Sequence, residues 1–324
     1  MMGGISGRDG LERRISVNWR LARRPPAIPR DAPAPPWCST PRSEEGRLTL
    51  FIIAVAVVAV AIAGFAAAQK TLYDDFVISA ARFKATAGVQ DDAPVTEEDL
   101  RDLPEPMARH LRFSGVLGRK RISAVHVVHS GRFKPGADRA WMSIDGEYFL
   151  TTKKPSFFWY GKVNVVPGIS FIALDSYAGG SGRMVVKLMS VFRIVDDGSR
   201  QVSASAFGRA VAELTMAPTF FLDRRSVRCA RAGSDQVRCT VTDGDFSTHA
   251  DLFINADGSL NRIELMRYFD RGNGKATLER FTGKGSRPKN FGGRMLASRM
   301  DGVWNLSEGD LHYVSFDIDR VDFE

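Results

Sequence analysis

The spacing of hydrophobic and polar residues changes character twice along this chain. From Leu48 to Ala68 the run LTLFIIAVAVVAVAIAGFAAA holds no charged residue. A helix of that length, at about 1.5 Å per residue, is roughly 30 Å long, the thickness of a bilayer's hydrocarbon core. A buried core helix would rarely need so unbroken a run. Asp75 to Lys84 can continue the helix as a short stalk, and GVQDDAP breaks it. The next segment, VTEEDLRDLPEPMARHLRFSGV, offers Thr96 as a helix cap with acidic residues in the first turn, then a second short helix with Pro106 near its start and Met107 and Leu111 on its buried face.

From Arg121 the pattern turns to short alternating runs: ISAVHVVHSGRF, RAWMSIDGEYFL, SFFWYGKVNV, ISFIALDSYA and GRMVVKLMSVFRIV. Gly, Pro and Asp-Gly signals separate them at hairpin intervals, as in a meandering antiparallel sheet. One helical interruption, SASAFGRAVAELTMAPTFFL, sets Ala206, Ala210, Glu213 and Met216 near helical spacing before Pro218 stops it. Strands resume to the end, where DLHYVSFDIDRV places His312, Val314, Phe316 and Ile318 on one face. The pattern predicts a mainly β (α+β) fold, a large antiparallel sheet with few helices preceded by one transmembrane helix. A sheet this size must curl to protect its edges, and its concave face needs a cover.

The organisation expected is an Arg/Pro-rich disordered arm over 1–47, a membrane helix over 48–69, a helical stalk or linker over 70–102 and a β domain over 103–324. The 324 residues, 44% apolar and 25% charged, are ordinary globular material with a net charge of +8. The arm holds nine Arg against five acidic residues, which accounts for half of that excess. The remainder lacks a basic stripe interleaved with aromatics, so a nucleic-acid partner is not expected. Ala66 to Ala68 also fit a cleavage site. The apolar run is long for a signal peptide, however, and the charged region before it far too long, which favours a retained anchor. The Arg excess before the span predicts a single-pass protein of the inner (plasma) membrane, with its N-terminus cytoplasmic and everything past Lys70 exported.

Cys38 then lies on the reducing side, and Cys229 and Cys239 together on the oxidising side. SVRCARAGSDQVRCTV reads as a hairpin, and a turn centred on Ser234 sets these two cysteines opposite each other within reach of a disulfide. Two facing thiols are the alternative. A zinc site lacks a second ligand pair at the right spacing, so no metal is expected.

The run LPEPMARHLRFSGV, HSGRF, W-x-x-x-x-G-E-Y-F, PSFFWYGKV, DSYAGGSGRM, AELTMAP and NADGSLNRIELMRY resembles an uncharacterised family of bacterial membrane-anchored proteins, related to the lipoprotein-carrier fold of the LolA and LolB type. The resemblance covers most of the chain from about Leu103. It departs at Met216, where the family tends to have Trp, and near Cys229, where Trp is again usual. It implies a half-open barrel whose concave face is apolar and capped by a helix, suited to acyl chains. The residues expected to line it are Trp141, Phe157, Phe158, Trp159, Phe171, Met216, Phe220 and Phe221, with plain core packing as the competing role for each. The function implied is a membrane-tethered, non-enzymatic carrier or binding module for a lipid or other apolar ligand, without cofactor. An envelope scaffold that meets a protein partner through its outer surface is the second reading, and an unrecognised hydrolase the third.

Chemistry is thinly signalled. His110, His126, His129, His249 and His312 form no chelating pattern, and His126 and His129 point to opposite strand faces. Gly179, Gly180 and Gly182 read as a hairpin rather than a phosphate loop, and a G-x-S-x-G elbow is absent. Ser247, His249 and Asp251 share a strand side without forming a triad. Asp175 and Glu213 are the possible polar site, as an acid-base pair or in a structural salt bridge to Arg183 or Arg209. The basic stretch TGKGSRPKNFGGR is either a solvated loop or a rest for anionic lipid headgroups.

Overall fold

The structure, a computed structural model, describes residues 44–85, 93–272 and 274–324. The expected disordered arm, but for its last four residues, lies outside them, as does Cys38. The chain divides into Met1–Val57 and Val58–Glu324. Among the described residues the first unit holds only the start of one long helix, α1 (Glu44–Ala85), and the second holds everything else. No proline or glycine pair interrupts α1. Glu44 and Glu45 in its first turn and Arg82 and Lys84 in its last complement the helix dipole. It is long and apolar enough to cross a membrane, and its apolar window is unburied.

Beyond Lys70 the helix does not stand free as a stalk. Leu72, Phe76 and Ala80, spaced four apart, form one buried stripe. Phe76 meets Phe149, Phe158 and Tyr160, with ring centroids 6.0, 5.0 and 5.1 Å away. At one end of the stripe Tyr73 donates a hydrogen bond to Glu147 Oε1 (2.7 Å), and at the other Lys84 pairs with Glu324. Two short helices follow, α2 (Glu97–Leu100), capped by Thr96, and α3 (Glu105–Phe113), with Pro106 in its first turn and Met107 and Leu111 buried.

The rest is a thirteen-stranded antiparallel sheet. Its first meander is β1 (Ala124–Phe133), β2 (Met142–Thr151), β3 (Ser156–Val166), β4 (Ile169–Ala178), β5 (Ser181–Leu188) and β6 (Phe192–Asp197). Its second is β7 (Val227–Arg231), β8 (Gln236–Asp243), β9 (Phe246–Ile254), β10 (Leu260–Gly272), β11 (Lys275–Phe291), β12 (Arg294–Leu306) and β13 (Gly309–Phe323). Pairing of β1 with β13 joins the two meanders, which leaves β6 and β7 as the outer edges. The sheet curls into a half-barrel of 254°. The basic stretch expected as a loop is therefore strand, the second half of β11 and its hairpin into β12.

This topology also explains the cover. The chain must pass from one outer edge to the other, and it does so across the concave face as α4 (Arg200–Glu213) followed by two 3-10 turns, Leu214–Met216 and Pro218–Leu222. Ser199 caps α4 by accepting from the Val202 N–H. The helix packs on β3, β4 and β5 from one wall and β9 and β10 from the other, with Ala206, Phe207, Ala210 and Val211 buried.

Cys229 and Cys239 are register partners on β7 and β8 and are joined by a disulfide. A loop of this length constrains the unfolded chain by about 2–3 kcal/mol. Reduction should lower the urea midpoint correspondingly, and Cys229→Ser with Cys239→Ser should show the same drop without reductant.

Candidate functional site

Strand alternation divides the aromatic candidates between two faces. On β3, Phe157, Trp159 and Val163 point into the curl, whereas Phe158 and Tyr160 point outward to α1. Phe158 therefore does not line the interior. Neither does Trp141, which lies outside with the Arg132 guanidinium 4.9 Å and the Lys134 Nζ 5.8 Å from its ring. Phe171 is inward and half-buried on β4. Met216, Phe220 and Phe221 belong to the 3-10 turns and are packed within the main core.

The interior has a filled part and an uncovered part. Around α4 the core is closed by its own side chains, and beside the first 3-10 turn it leaves one cavity. The cavity beside Met216, about 300 Å³, is also lined by His110, Leu260, Leu296 and Met300. Toward the end where β1 joins β2 and β3 joins β4, the inward residues Phe133, Met142, Phe171 and Phe316 are only half-buried. They occupy adjacent rungs: Phe316 pairs with Gly131, Gly131 with Ile144, Ile144 with Val163 and Val163 with Phe171, and Phe133 pairs with Met142 and Val314. Apolar side chains thus run across the concave face, buried at Ile144 and Val163 and partly open at Phe133, Met142, Phe171 and Phe316.

Below this strip lies a charged layer. Arg209 on α4 donates to Asp175 Oδ2 at 2.7 Å and faces Glu213 Oε1 at 3.4 Å, one of the two partners anticipated for Glu213. The guanidinium also lies 4.6 Å from the centroid of Trp159 and 5.1 Å from that of Phe157. Burial opposes its charge, but the two carboxylates outweigh burial and hold it protonated. The Tyr148 hydroxyl is pushed up by burial and by Glu213, to which it donates. On the facing wall Arg267 donates to the Ser205 carbonyl and lies over Phe281 and Trp304, at 4.8 and 5.2 Å. Its charge is opposed mainly by burial.

His129 completes the layer and was not anticipated as part of it. Trp159 Nε1–H donates to His129 Nε2 at 3.0 Å, with the two rings within 1° of coplanar, so the His129 proton resides on Nδ1. The space for this pair comes from Gly146 and Gly161, which are register partners. A Cβ on Gly146 would stand 2.7 Å from both His129 Nε2 and the Tyr160 carbonyl oxygen, and one on Gly161 would meet the Trp159 ring. Gly146→Ala should cost about 2–3 kcal/mol, read from urea denaturation, because the backbone neighbour cannot swing away.

Burial first, and then the charge of Arg209, depress the His129 pKa to about 3. An unfolded histidine titrates near 6.5, so between these values the unfolded chain takes up a proton that the folded one refuses. Stability is therefore complete above about pH 6.5 and falls as the pH drops, by about 2 kcal/mol from this residue at pH 5. Buried His110, also depressed by desolvation, acts in the same direction. Urea midpoints at pH 7 and pH 5 should separate by clearly less in His129→Gln than in the parent protein.

Carboxylates engaged by one guanidinium and one phenol are suited to holding α4 against the wall of β2 and β4, while Arg267 holds it to the other through the Ser205 carbonyl. The open strip beside them offers a guest apolar contact. Sequence reading reached Asp175, Glu213, Trp159 and Phe171; it missed Arg267, Tyr148 and His129, and only for the last did a residue pattern, the glycines at 146 and 161, bear on the site.

Two solved structures are similar over long stretches. A domain from Vibrio parahaemolyticus assigned to outer membrane lipoprotein sorting covers 62% of this chain and 85% of its own, at 11% identity and a TM-score of 0.34. A LolA superfamily protein from Nitrosomonas europaea covers 72% and 94%, at 14% identity and the same TM-score. No curated protein matches the sequence. The model of the family of unknown function DUF6544 matches residues 93–316, from ahead of α2 into β13, and the chain belongs to that family.

Proposed function

We propose that this protein is a membrane-tethered binding module that shelters a lipid or other apolar molecule on the exported side. The observation that carries this reading is the set of half-buried inward side chains, Phe133, Met142, Phe171 and Phe316, on the concave face of the sheet, at the end away from the cavity beside Met216. A guest covering the strip would remove apolar surface from water at about 25 cal/mol per Å². Its polar end would meet the layer of Arg209, Arg267 and Tyr148 within the curl. Asp175 and Glu213 are engaged by Arg209, which favours a structural part for them over acid-base chemistry. The exported setting is supported by the Arg excess ahead of α1 and by the Cys229–Cys239 bridge.

The test is native mass spectrometry and lipid extraction of the full chain, compared with Phe171→Trp, which narrows the strip. An acyl-bearing species should accompany the parent protein and be reduced in the variant. A guest-free parent protein would remove the reading. A second reading is favoured by the closed packing of Phe157, Phe220 and Phe221: an envelope scaffold acting through its outer surface, for which both proteins would be guest-free. A C-terminal reporter active only after export tests the topology separately.

A further inference from the structure

One end of the half-barrel carries an apolar fringe that the fold leaves uncovered. Val165, Val166 and Ile169 flank the β3–β4 turn at 40, 51 and 41% exposure, and Val191 and Phe192 follow the β5–β6 turn at 53 and 63%. Met189 and Ser190, which form that turn, hold φ of 52° and 63°, a region unfavourable to residues with side chains. On the outer face at the same end, Trp141 lies beside Arg132 and Lys134. An aromatic ring flanked by cations beside exposed aliphatic side chains is the composition of a protein surface at lipid headgroups.

The path of α1 identifies what covers the fringe. Its C-terminal part touches Phe158 and Glu324, and Tyr73 touches Tyr160 and Glu147, so toward its N-terminus it runs toward the end bearing the fringe. From Tyr73 to Ala68, the last residue of the uncharged run, is about 8 Å of helix. From Tyr160 to Val165 is about 17 Å of strand. Even with a strand inclined by about 45° to the helix, the β3–β4 tip reaches the level at which α1 becomes wholly apolar.

We propose that this fringe rests in the headgroup and upper acyl layer of the bilayer that α1 crosses, the occupant being the lipid surface itself. The proposal rests on the tethered reading above and deepens it. Phe133, Met142, Phe171 and Phe316 lie at the same end of the sheet, so the open strip faces the leaflet. A lipid then passes from the membrane into the concave face without crossing water, and Arg132 and Lys134 favour anionic headgroups.

The test uses the full chain with Cys38→Ser in vesicles of three parts phosphatidylcholine to one part phosphatidylglycerol. A fluorophore is placed by Val166→Cys or Phe192→Cys on the fringe, by Val60→Cys on the helix and by Ala256→Cys on the turn at the opposite end. Lipid-borne nitroxides should quench the fringe labels several-fold more than the label at 256. Fringe labels quenched no more than 256, with 60 strongly quenched, would overturn the docking while leaving the tether in place. Fringe emission shifted to the blue without nitroxide quenching would mean that a second copy or another protein covers the fringe, and would overturn it equally. An unquenched label at 60 would remove the tether and the docking together.

Discussion

Arg209→Met should destabilise the fold by about 3–5 kcal/mol, the largest loss expected from one substitution in the charged layer. The guanidinium bridges Asp175 on one wall and Glu213 on its own helix, and all three side chains are mostly buried. Removing the cation strands two carboxylates in a medium that solvates neither. The loss belongs to the broken arrangement rather than to the intact pair, since burying these groups already carries a desolvation penalty. Adding Asp175→Asn and Glu213→Gln to Arg209→Met should therefore recover much of the stability. Urea unfolding of the single and triple variants measures this. A triple variant no more stable than the single one would mean that stacking of Arg209 on Phe157 and Trp159 dominates.

Phe76→Ala should remove about 3–5 kcal/mol from the docking of α1 on the outer face of the sheet. The cluster there is small: Phe76, Ala80 and Phe149, with Phe83, Phe158, Tyr160 and Leu174 around them. It is separate from the main core, so the loss should be local. Amide exchange should quicken from Leu72 through Ala85 while β1 to β4 keep their protection. Loss of protection across the sheet would instead show that α1 and the half-barrel unfold as one unit. On the docking proposed above, the same variant should also lower the quenching of the fringe labels by lipid-borne nitroxides, because the helix would no longer fix the height of the fringe.

Particular residues show where sequence reading succeeded and where it stopped. The apolar run needed nothing beyond length and composition. The cysteine hairpin was legible because a turn near Ser234 fixes the pairing of residues on either side of it, and the register does pair Cys229 with Cys239. Phe157 and Phe158 were both assigned to the interior although neighbours on a strand face opposite ways, so alternation alone should have separated them. Which of the two faced inward required knowing that α1 occupies the other face. Trp141 directly precedes the inward Met142 and for the same reason stands outside. His129 carried no local sign of its partner, since Trp159 lies two strands away and the glycines that admit both rings belong to β2 and β3.

The sequence by itself determined the elements: a membrane-length helix, two meanders of alternating strands, a helix between them and a short covalent loop. These rest on periodicity and turn chemistry, which act over a few residues. Tertiary structure alone decided that β1 pairs with β13, that the linking helix must therefore cross the concave face, and that Arg209 meets Asp175 from 34 residues away. Such contacts follow from closing a curled sheet around a buried charge, a condition on the whole chain that no short window of residues expresses.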